Sequence, residues 1–307
     1  MEVLTIRLGY PYDRRRGDLP MKQGDLVVRQ SYGGDVLFRI EMVQSENVIL
    51  KGLDFRLLAD APRVDLRSVH DPAATVVAQT VRHKVNETLR HMHTTIERPD
   101  LYRDMIHNYR EIEDETYFEW PGKVLHLDGD SNYLKKSMQL YEAMKVPAEG
   151  YFINESKMAE ALVRLLPEIQ PDIVVITGHD GVLKHRVGMD LSSLSSYKNS
   201  QHFVNAVRVA REYERNRDSL VVVAGACQSH YEALLNTGAN FASSPGRILI
   251  HALDPVYIAI KASYTPIKDI INLKDLVEGT ISGIDGVGGI ETIGRYRVGY
   301  PRPKQFV

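Results

Sequence analysis

The stretch LVVVAGACQSH, residues 220–230, decides how this sequence is interpreted. Five apolar residues lead into Gly225, Ala226 and Cys227, and polar residues follow them. A short apolar run that ends at a glycine predicts a buried strand, and a short helix is predicted from Tyr231 onward. Cys227 is the single cysteine of the chain. It is therefore predicted to lie where a strand ends and a helix begins, whereas most free cysteines are simply small buried hydrophobes.

The same alternation of strand and helix extends over residues 121–307. Helices are predicted to begin near Ser131, Asn154 and Ser200, because apolar residues recur after them at helical spacing. Buried apolar runs that alternate with amphipathic helices indicate a mainly parallel sheet covered by helices on both faces. The further predicted strands are KVLHLDGD (residues 123–130), DIVVITGHDG (residues 172–181) and RILIHAL (residues 247–253).

The region before this domain has a different pattern. Short segments between residues 22 and 58 alternate apolar and polar positions, as at Val36, Phe38 and Ile40, which predicts half-buried strands. We predict a small SH3-like β-barrel domain over residues 1–66. Its four strands are predicted at GDLVVRQ, DVLFRIEMVQ, NVILKG and FRLL, the last at residues 55–58.

Two helices are predicted to join the barrel to the α/β domain. Apolar residues at helical spacing, among them Val81, Val85 and Leu89, occur between residues 75 and 117. The predicted organisation is thus a barrel, a helical connector over residues 67–120, and an α/β domain over residues 121–307 that ends in an extension.

Composition excludes several classes of function. The chain has 307 residues, 43% of them hydrophobic, and a formal net charge of −2, so no overall field favours nucleic acid or an anionic membrane. It has no signal-peptide pattern at its start and no apolar run of about 18 residues. A single cysteine cannot form an internal disulfide, so we expect a reducing, cytoplasmic location.

Reactive side chains follow three of the predicted strands. Asp128 and Asp130 follow the first, His179 the second and Cys227 the third. Active sites of parallel α/β sheets lie beyond the carboxyl ends of the strands. If the last two strands are neighbours, we expect His179 and an exposed Cys227 to share one crevice. The thiolate would attack a carbonyl, and the imidazolium would protonate the leaving amine.

The spacing of this pair strengthens the interpretation. His179 lies 48 residues before Cys227, and the residues around them read HDG and GACQS. In caspases a histidine lies about 50 residues before an Ala-Cys pair. The arrangement therefore resembles the caspase-like cysteine peptidases of clan CD.

Longer motifs resemble one family more closely. LHLDGD, VVITGHDG, GACQSHYEALLNTGANFASSP and GDLVVRQSYGGDVLFRI look like the YabG peptidases of endospore-forming bacteria, a likeness that extends from about residue 22 to the end. The resemblance implies a cysteine peptidase that cleaves after arginine. It would process spore coat and cortex-associated proteins in the cytoplasm of the sporulating cell, in association with the developing coat. We expect it to need no metal or other cofactor.

The oxyanion hole departs from the pattern of the clan. The residue after the catalytic histidine is commonly glycine there, whereas this chain has Asp180 and then Gly181. The main-chain N–H of Cys227 is one expected donor. Whether Asp180 or Gly181 supplies the second is left open.

An arginine in the substrate requires a carboxylate partner. Asp128, Asp130 and Asp180 are the candidates, and we favour Asp130 because it lies farthest along its loop. The alternative is that Asp130 only caps the next helix. Ser243 and Ser244 either flank the cleft or form an ordinary turn before a proline.

Two functions other than a peptidase are also consistent with the sequence. The same Cys–His pair could serve a non-peptidase amidase that acts on small molecules. The α/β domain could also be inert, in a scaffold whose barrel binds coat components. Residues 282–291, SGIDGVGGIE, lack the GKS/T ending of a phosphate loop and are interpreted as mobile turns in the extension.

Two further segments lead to smaller predictions. His91 and His93 have no cysteine nearby and make a poor zinc site, so a solvated helix face is the preferred interpretation. Arg14, Arg15 and Arg16 lie in a stretch without strand or helix periodicity. An arginine-directed peptidase is predicted to cleave itself there slowly.

Overall fold

The computed structural model describes residues 21–34, 36–69, 83–90, 118–183 and 191–301. The chain divides into two compact units, Met1–Glu87 and Thr88–Val307. Residues 83–90 are helical, in agreement with the predicted helical spacing. Most of the predicted connector lies outside the described residues, so the domain boundaries at residues 66 and 120 stay predictions.

The first unit contains a five-stranded antiparallel sheet. Phe38 and Ile40 are fully buried while Arg39 between them is exposed, which confirms the predicted alternation. The fourth strand begins at Leu58, where the predicted one ends. The strand order is β4-β3-β2-β1-β5. The strands are β1 Leu26–Arg29, β2 Leu37–Val43, β3 Asn47–Gly52, β4 Leu58–Pro62 and β5 Leu66–Ser68.

The second unit contains a six-stranded sheet of order β12-β11-β10-β9-β7-β8, in which all neighbours are parallel except β11 and β12. A separate two-stranded ribbon joins β6 and β13. The strands are β6 Phe118–Trp120, β7 Val124–Asp128, β8 Ala148–Phe152, β9 Ile173–Thr177, β10 Val221–Ala224, β11 Phe241–Ser243, β12 Val287–Gly289 and β13 Arg297–Gly299.

Helices flank this sheet. The strands β7, β9 and β10 are buried along their whole length, as the continuous apolar runs predict. Apolar residues of α2, α3 and α4 form one core with them, and α1 and α5 contact each other and the strands. The helices are α1 Ser131–Ala143, α2 Met158–Ile169, α3 Ser200–Tyr213, α4 Tyr231–Thr237, α5 Asp254–Tyr264, α6 Leu273–Glu278 and α7 Gly283–Gly286.

The structure corrects three details of the sequence interpretation. RILIHAL, residues 247–253, forms a loop and not a strand. Its apolar residues Ile250 and Ala252 are nevertheless buried. The glycine-rich residues 282–291 are not simply mobile turns, since they form α7 and the edge strand β12. Strand β8 escapes prediction because its residues AEGYF are only partly buried and lack an apolar run.

The described helices also bear on membrane association. None of them is long and apolar enough to cross a bilayer.

Candidate active site

The two candidate catalytic residues follow neighbouring strands. The strands β9 and β10 pair in parallel, so His179 and Cys227 lie beyond the same edge of the sheet, as predicted. Between β10 and the cysteine, Gly225 has a φ of +109°, and a Cβ there would meet Leu234 at 2.9 Å. Glycine is therefore required for the turn that places Cys227.

Cys227 is buried in this structure, with 0% of its surface exposed. The N–H of Ile250 donates to its Sγ at 3.2 Å, and the thiol donates to the carbonyl of Ile250 at 3.7 Å. The prediction of an exposed cysteine is therefore wrong for this form of the protein. The reason is that the chain that leaves β11 passes over the thiol.

We call residues 244–250 the covering segment. The carbonyl of Ile248 in this segment accepts hydrogen bonds from the N–H of Gln228 at 3.1 Å and from Ser244 Oγ at 2.8 Å. The backbone of Ser244 and of Arg247 has positive φ, +66° and +55°. These unusual conformations turn the segment back towards the residue that follows the cysteine.

The side chain of Arg247 anchors the covering segment. Its guanidinium forms an ion pair with Glu232 of α4, and its Nε donates to the hydroxyl of Tyr197 at 2.8 Å. The guanidinium carbon lies 5.7 Å from the centre of the Tyr197 ring. Partial burial raises the pKa of Glu232, but the hydrogen bond and charge of Arg247 outweigh this effect and lower the pKa overall.

The imidazole of His179 lies between two carboxylates, with 13% of its side chain exposed. Its Nε2 is 3.3 Å from Oδ2 of Asp130, and its Nδ1 is 3.9 Å from Oε1 of Glu155. The same Oε1 accepts the main-chain N–H of His179 at 2.8 Å. The amide of Asn199 donates to the carbonyl of His179 at 2.7 Å, so the backbone here is fixed on both sides.

The carboxylate of Asp130 caps α1 and also faces His179. Its Oδ1 accepts the N–H groups of Asn132 and Tyr133 at the start of α1, so Asp130 is the N-cap and Ser131 is the first residue of the helix. Its other oxygen faces His179. The capping alternative is therefore present, and the proposed contact with a substrate arginine stays a prediction.

Asp128 is fully buried beneath this site. It accepts hydrogen bonds from the N–H of Asp130 at 2.9 Å and from Thr177 Oγ1 at 3.1 Å, and it lies 3.5 Å from Nε2 of His126. These contacts tie β7 to β9. They do not direct Asp128 outward, and its assignment to the substrate arginine also stays a prediction.

Asp180 connects the two strand ends. Its carboxylate accepts hydrogen bonds from the main chain of Gly181 and Asn199 and from the hydroxyls of Ser200 and Ser229. Burial raises the pKa of Asp180, although these four hydrogen bonds act in the opposite direction. The N–H of Gly181, a candidate oxyanion donor, is thus directed at a carboxylate 2.9 Å away.

Ser243 and Ser244 lie where β11 meets the covering segment. Ser243 ends β11 and is buried. Ser244 is also buried, and its hydroxyl accepts the N–H of Gln228 at 3.1 Å. A role in substrate binding stays a prediction for both, and the contacts of Ser244 with Gln228 and Ile248 hold the covering segment in place.

Sequence reasoning does not detect Glu155 or Asn199. Neither residue belongs to the HDG or GACQS motif, and each reaches His179 only because the fold brings it there. The one available signal is the pair Gly129 and Gly178, since the carboxylate of Glu155 fills the space beside both glycines.

Residues 22–301 match the family described as YabG peptidase U57. The chain belongs to this family. The sporulation-specific protease YabG of Bacillus subtilis (strain 168) is 43% identical over 288 residues, which cover 91% of this chain and 97% of the relative. No solved structure matches the chain.

Membership in the YabG family supports a protease that acts in sporulation. Within the described residues, no group of three or more histidine, cysteine or acidic side chains is arranged to hold a metal ion. The predictions about His91, His93 and the three arginines at residues 14–16 lie outside the described residues.

Proposed function

We propose that this chain is a cysteine endopeptidase that cleaves after arginine through a Cys227–His179 dyad. The observation that carries the proposal is that both residues follow neighbouring parallel strands at one edge of the sheet, in a chain of a peptidase family. Its substrates are spore coat and cortex-associated proteins. It acts in the cytoplasm of the sporulating cell, in association with the developing coat.

The chemistry begins with transfer of the thiol proton of Cys227 to His179. The thiolate attacks the main-chain carbonyl carbon of the substrate arginine and forms a tetrahedral intermediate. This collapses as the carbon–nitrogen bond breaks and the imidazolium gives its proton to the leaving amine. A thioester remains. Water, deprotonated by His179, then cleaves the thioester and regenerates the thiol.

Two carboxylates beside His179 support its part in this sequence. Asp130 and Glu155 lie 3.3 Å and 3.9 Å from its two ring nitrogens. Nearby negative charge favours the protonated imidazole. The thiolate–imidazolium pair on which the nucleophile depends is favoured for the same reason.

The covering segment has to move before a substrate can reach Cys227. In the described form the sulfur is buried beneath Ile250, and the ion pair of Arg247 with Glu232 holds the segment down. We propose that this is a closed form of the enzyme. Release of Arg247 from Glu232 and Tyr197 lifts the segment and exposes the thiol.

Substrate recognition is proposed from the same strand ends. The main-chain N–H of Cys227 and the N–H of either Asp180 or Gly181 donate to the oxyanion. The N–H of Gly181 can do so only after it releases the carboxylate of Asp180. The substrate arginine is read by Asp130, whose Oδ2 faces the site from the end of β7. Ser243 and Ser244 line the cleft after the covering segment has moved.

The finer features of the fold belong to the same proposal. Parallel strands with a histidine after β9 and a cysteine after the adjacent β10 support a caspase-like domain. The antiparallel order β4-β3-β2-β1-β5, which joins the first and last strands of the unit, supports a small SH3-like barrel. We propose that this barrel recognises protein substrates.

A fluorogenic peptide that ends in arginine tests the function. The parent protein should cleave it, and C227S should not. A matched peptide that ends in glutamate should be left intact by both, because its charge is repelled by the carboxylate that reads arginine. Equal cleavage of the peptide by the parent and a folded C227S protein would overturn the assignment of the nucleophile.

The burial of Cys227 favours a second candidate function, an inert scaffold. The two candidates differ in the reactivity of the thiol. Iodoacetamide should label Cys227 well below pH 8.5 if the thiol is activated and the segment opens. A native protein that takes up no label, while its urea-unfolded form is labelled fully, would support the scaffold.

A further inference from the structure

Glu155 exchanges no proton in the proposed mechanism, yet it contacts both the main chain and the ring of His179. Its Oε1 accepts the main-chain N–H of His179 at 2.8 Å and lies 3.9 Å from Nδ1 of the ring. Its side chain is buried, with 8% exposed. We propose that Glu155 is a positioning residue that orients the His179 imidazole and balances its charge when it is protonated. This inference rests on the proposed Cys227–His179 dyad.

Two glycines leave space for the carboxylate of Glu155. Gly129 follows β7 and Gly178 follows β9, and a Cβ at either position would overlap Oε1 of Glu155. The glutamate begins a 3-10 turn whose N-cap, Asn154, accepts the N–H of Ser156. The side chain therefore enters between two strand ends from a fixed backbone. A buried carboxylate placed in this way is costly unless a hydrogen bond or positive charge balances it.

The second carboxylate at His179 is less suited to this role. One ring nitrogen has to exchange protons with the thiol and the leaving amine, so only one acid can keep its contact throughout the reaction. Asp130 faces Nε2 and is proposed to read the substrate arginine. Glu155 is hydrogen-bonded to the backbone of His179 itself, and it therefore stays beside Nδ1 while Nε2 reacts.

The E155Q variant separates charge from structure. Glutamine keeps an oxygen that accepts the N–H of His179, but it removes the negative charge beside the ring. We expect kcat on the arginine peptide to fall on the order of 10²-fold, less than the 10⁴-fold of an aspartate-to-asparagine change in a serine triad, because the present contact is longer. KM should change less than threefold. E155D, which keeps the charge, should recover part of the loss.

Glu160 provides the matched control. It lies on the exposed side of α2 and pairs only with Lys157 among its described contacts, so E160Q should match the parent in kcat and thermal midpoint. The inference is overturned if E155Q keeps kcat within twofold of the parent while C227S and H179A are inactive. Activity retained by C227S would instead overturn the proposed function.

A folding defect would not end the test. Should E155Q fail to fold, E155D remains informative, because it retains the charge but draws it back by one methylene. We expect its kcat to fall about tenfold with KM little changed. A kcat for E155D equal to that of the parent would then contradict a positioning role.

Discussion

The ends of β9 and β10 are neighbours in the sheet, but they are built differently. His179, after β9, is surrounded by side chains, with Asp130 and Glu155 at its two ring nitrogens. Cys227, after β10, meets a main chain instead, since the N–H and carbonyl of Ile250 both contact its sulfur. The histidine end is preorganised by fixed acids, whereas the cysteine end is closed by a loop.

The proposed cysteine peptidase activity has two requirements, and this difference separates them. Groups that stabilise charge are most effective when they are fixed before the reaction, and the acids around His179 satisfy that condition. A nucleophile must instead be reached by its substrate, and a thiol covered by residues 244–250 is protected until the loop moves. The first requirement is met in the described form, and the second depends on a conformational step.

The largest expected effect comes from the cysteine end. C227S should lose peptide hydrolysis by on the order of 10⁶-fold, as loss of the nucleophile does in a serine triad. Serine keeps an acceptor for the N–H of Ile250, so the thermal midpoint should stay close to that of the parent. Initial rates with the arginine peptide and a thermal melt measure both. Hydrolysis by C227S within tenfold of the parent would show that Cys227 is not the nucleophile.

The histidine end should prove almost as important. H179A removes the group that accepts and returns the proton, and because the pair acts as a unit we expect a loss nearly as large as that of C227S. His202 lies on the first turn of α3, and none of the contacts described for its side chain involves His179 or Cys227, so H202A should keep kcat/KM within about threefold. If instead His230 or His251 proves essential and His179 does not, the dyad has been assigned wrongly.

The two ends also differ in how far sequence reasoning reaches. Apolar runs identify β9 and β10, and their flanking glycines locate His179 and Cys227, because strand ends depend on local sequence. The sequence pattern does not indicate which acids contact His179. Glu155 comes from a different turn of the chain, and only the packing of three segments brings it to the ring.

The burial of Cys227 shows a second limit of the sequence. Residues 247–253 have the apolar composition of a strand, but Arg247 adopts a positive φ and Ile250 packs on the sulfur. A pattern of hydrophobicity records that these residues are buried. It does not record whether they are buried in a sheet or in a loop that covers another residue, because both surroundings remove apolar side chains from water.

A smaller effect is expected when the covering segment loses its anchor. R247A removes the ion pair with the half-exposed Glu232 and the hydrogen bond to Tyr197. An ion pair this exposed is worth about 1 kcal/mol or less, so we expect Cys227 to react with iodoacetamide about fivefold faster. R208A, which removes an exposed arginine of α3, should leave that rate unchanged. Mass spectrometry of timed samples measures the labelled fraction.

The labelling rate of R247A tests whether the ion pair between Arg247 and Glu232 holds the covering segment closed. A faster labelling rate for R247A and E232Q supports a loop held by this ion pair. An unchanged rate in both would show that the loop opens without breaking the pair. In that case Ser244, which joins the segment to Gln228, becomes the next candidate anchor.

The smallest expected effect concerns the acids at His179. A histidine with two carboxylates is also a familiar beginning of a metal site, and a bound ion there would make this end a centre for activating water instead of a proton carrier. No described cluster is arranged to hold a metal, and a dyad needs none. Dialysis against EDTA should therefore leave kcat/KM on the arginine peptide within twofold, while iodoacetamide abolishes it. Inactivation by EDTA that added zinc reverses, and that H179A no longer shows, would assign the histidine end to metal binding and leave Cys227 without its base.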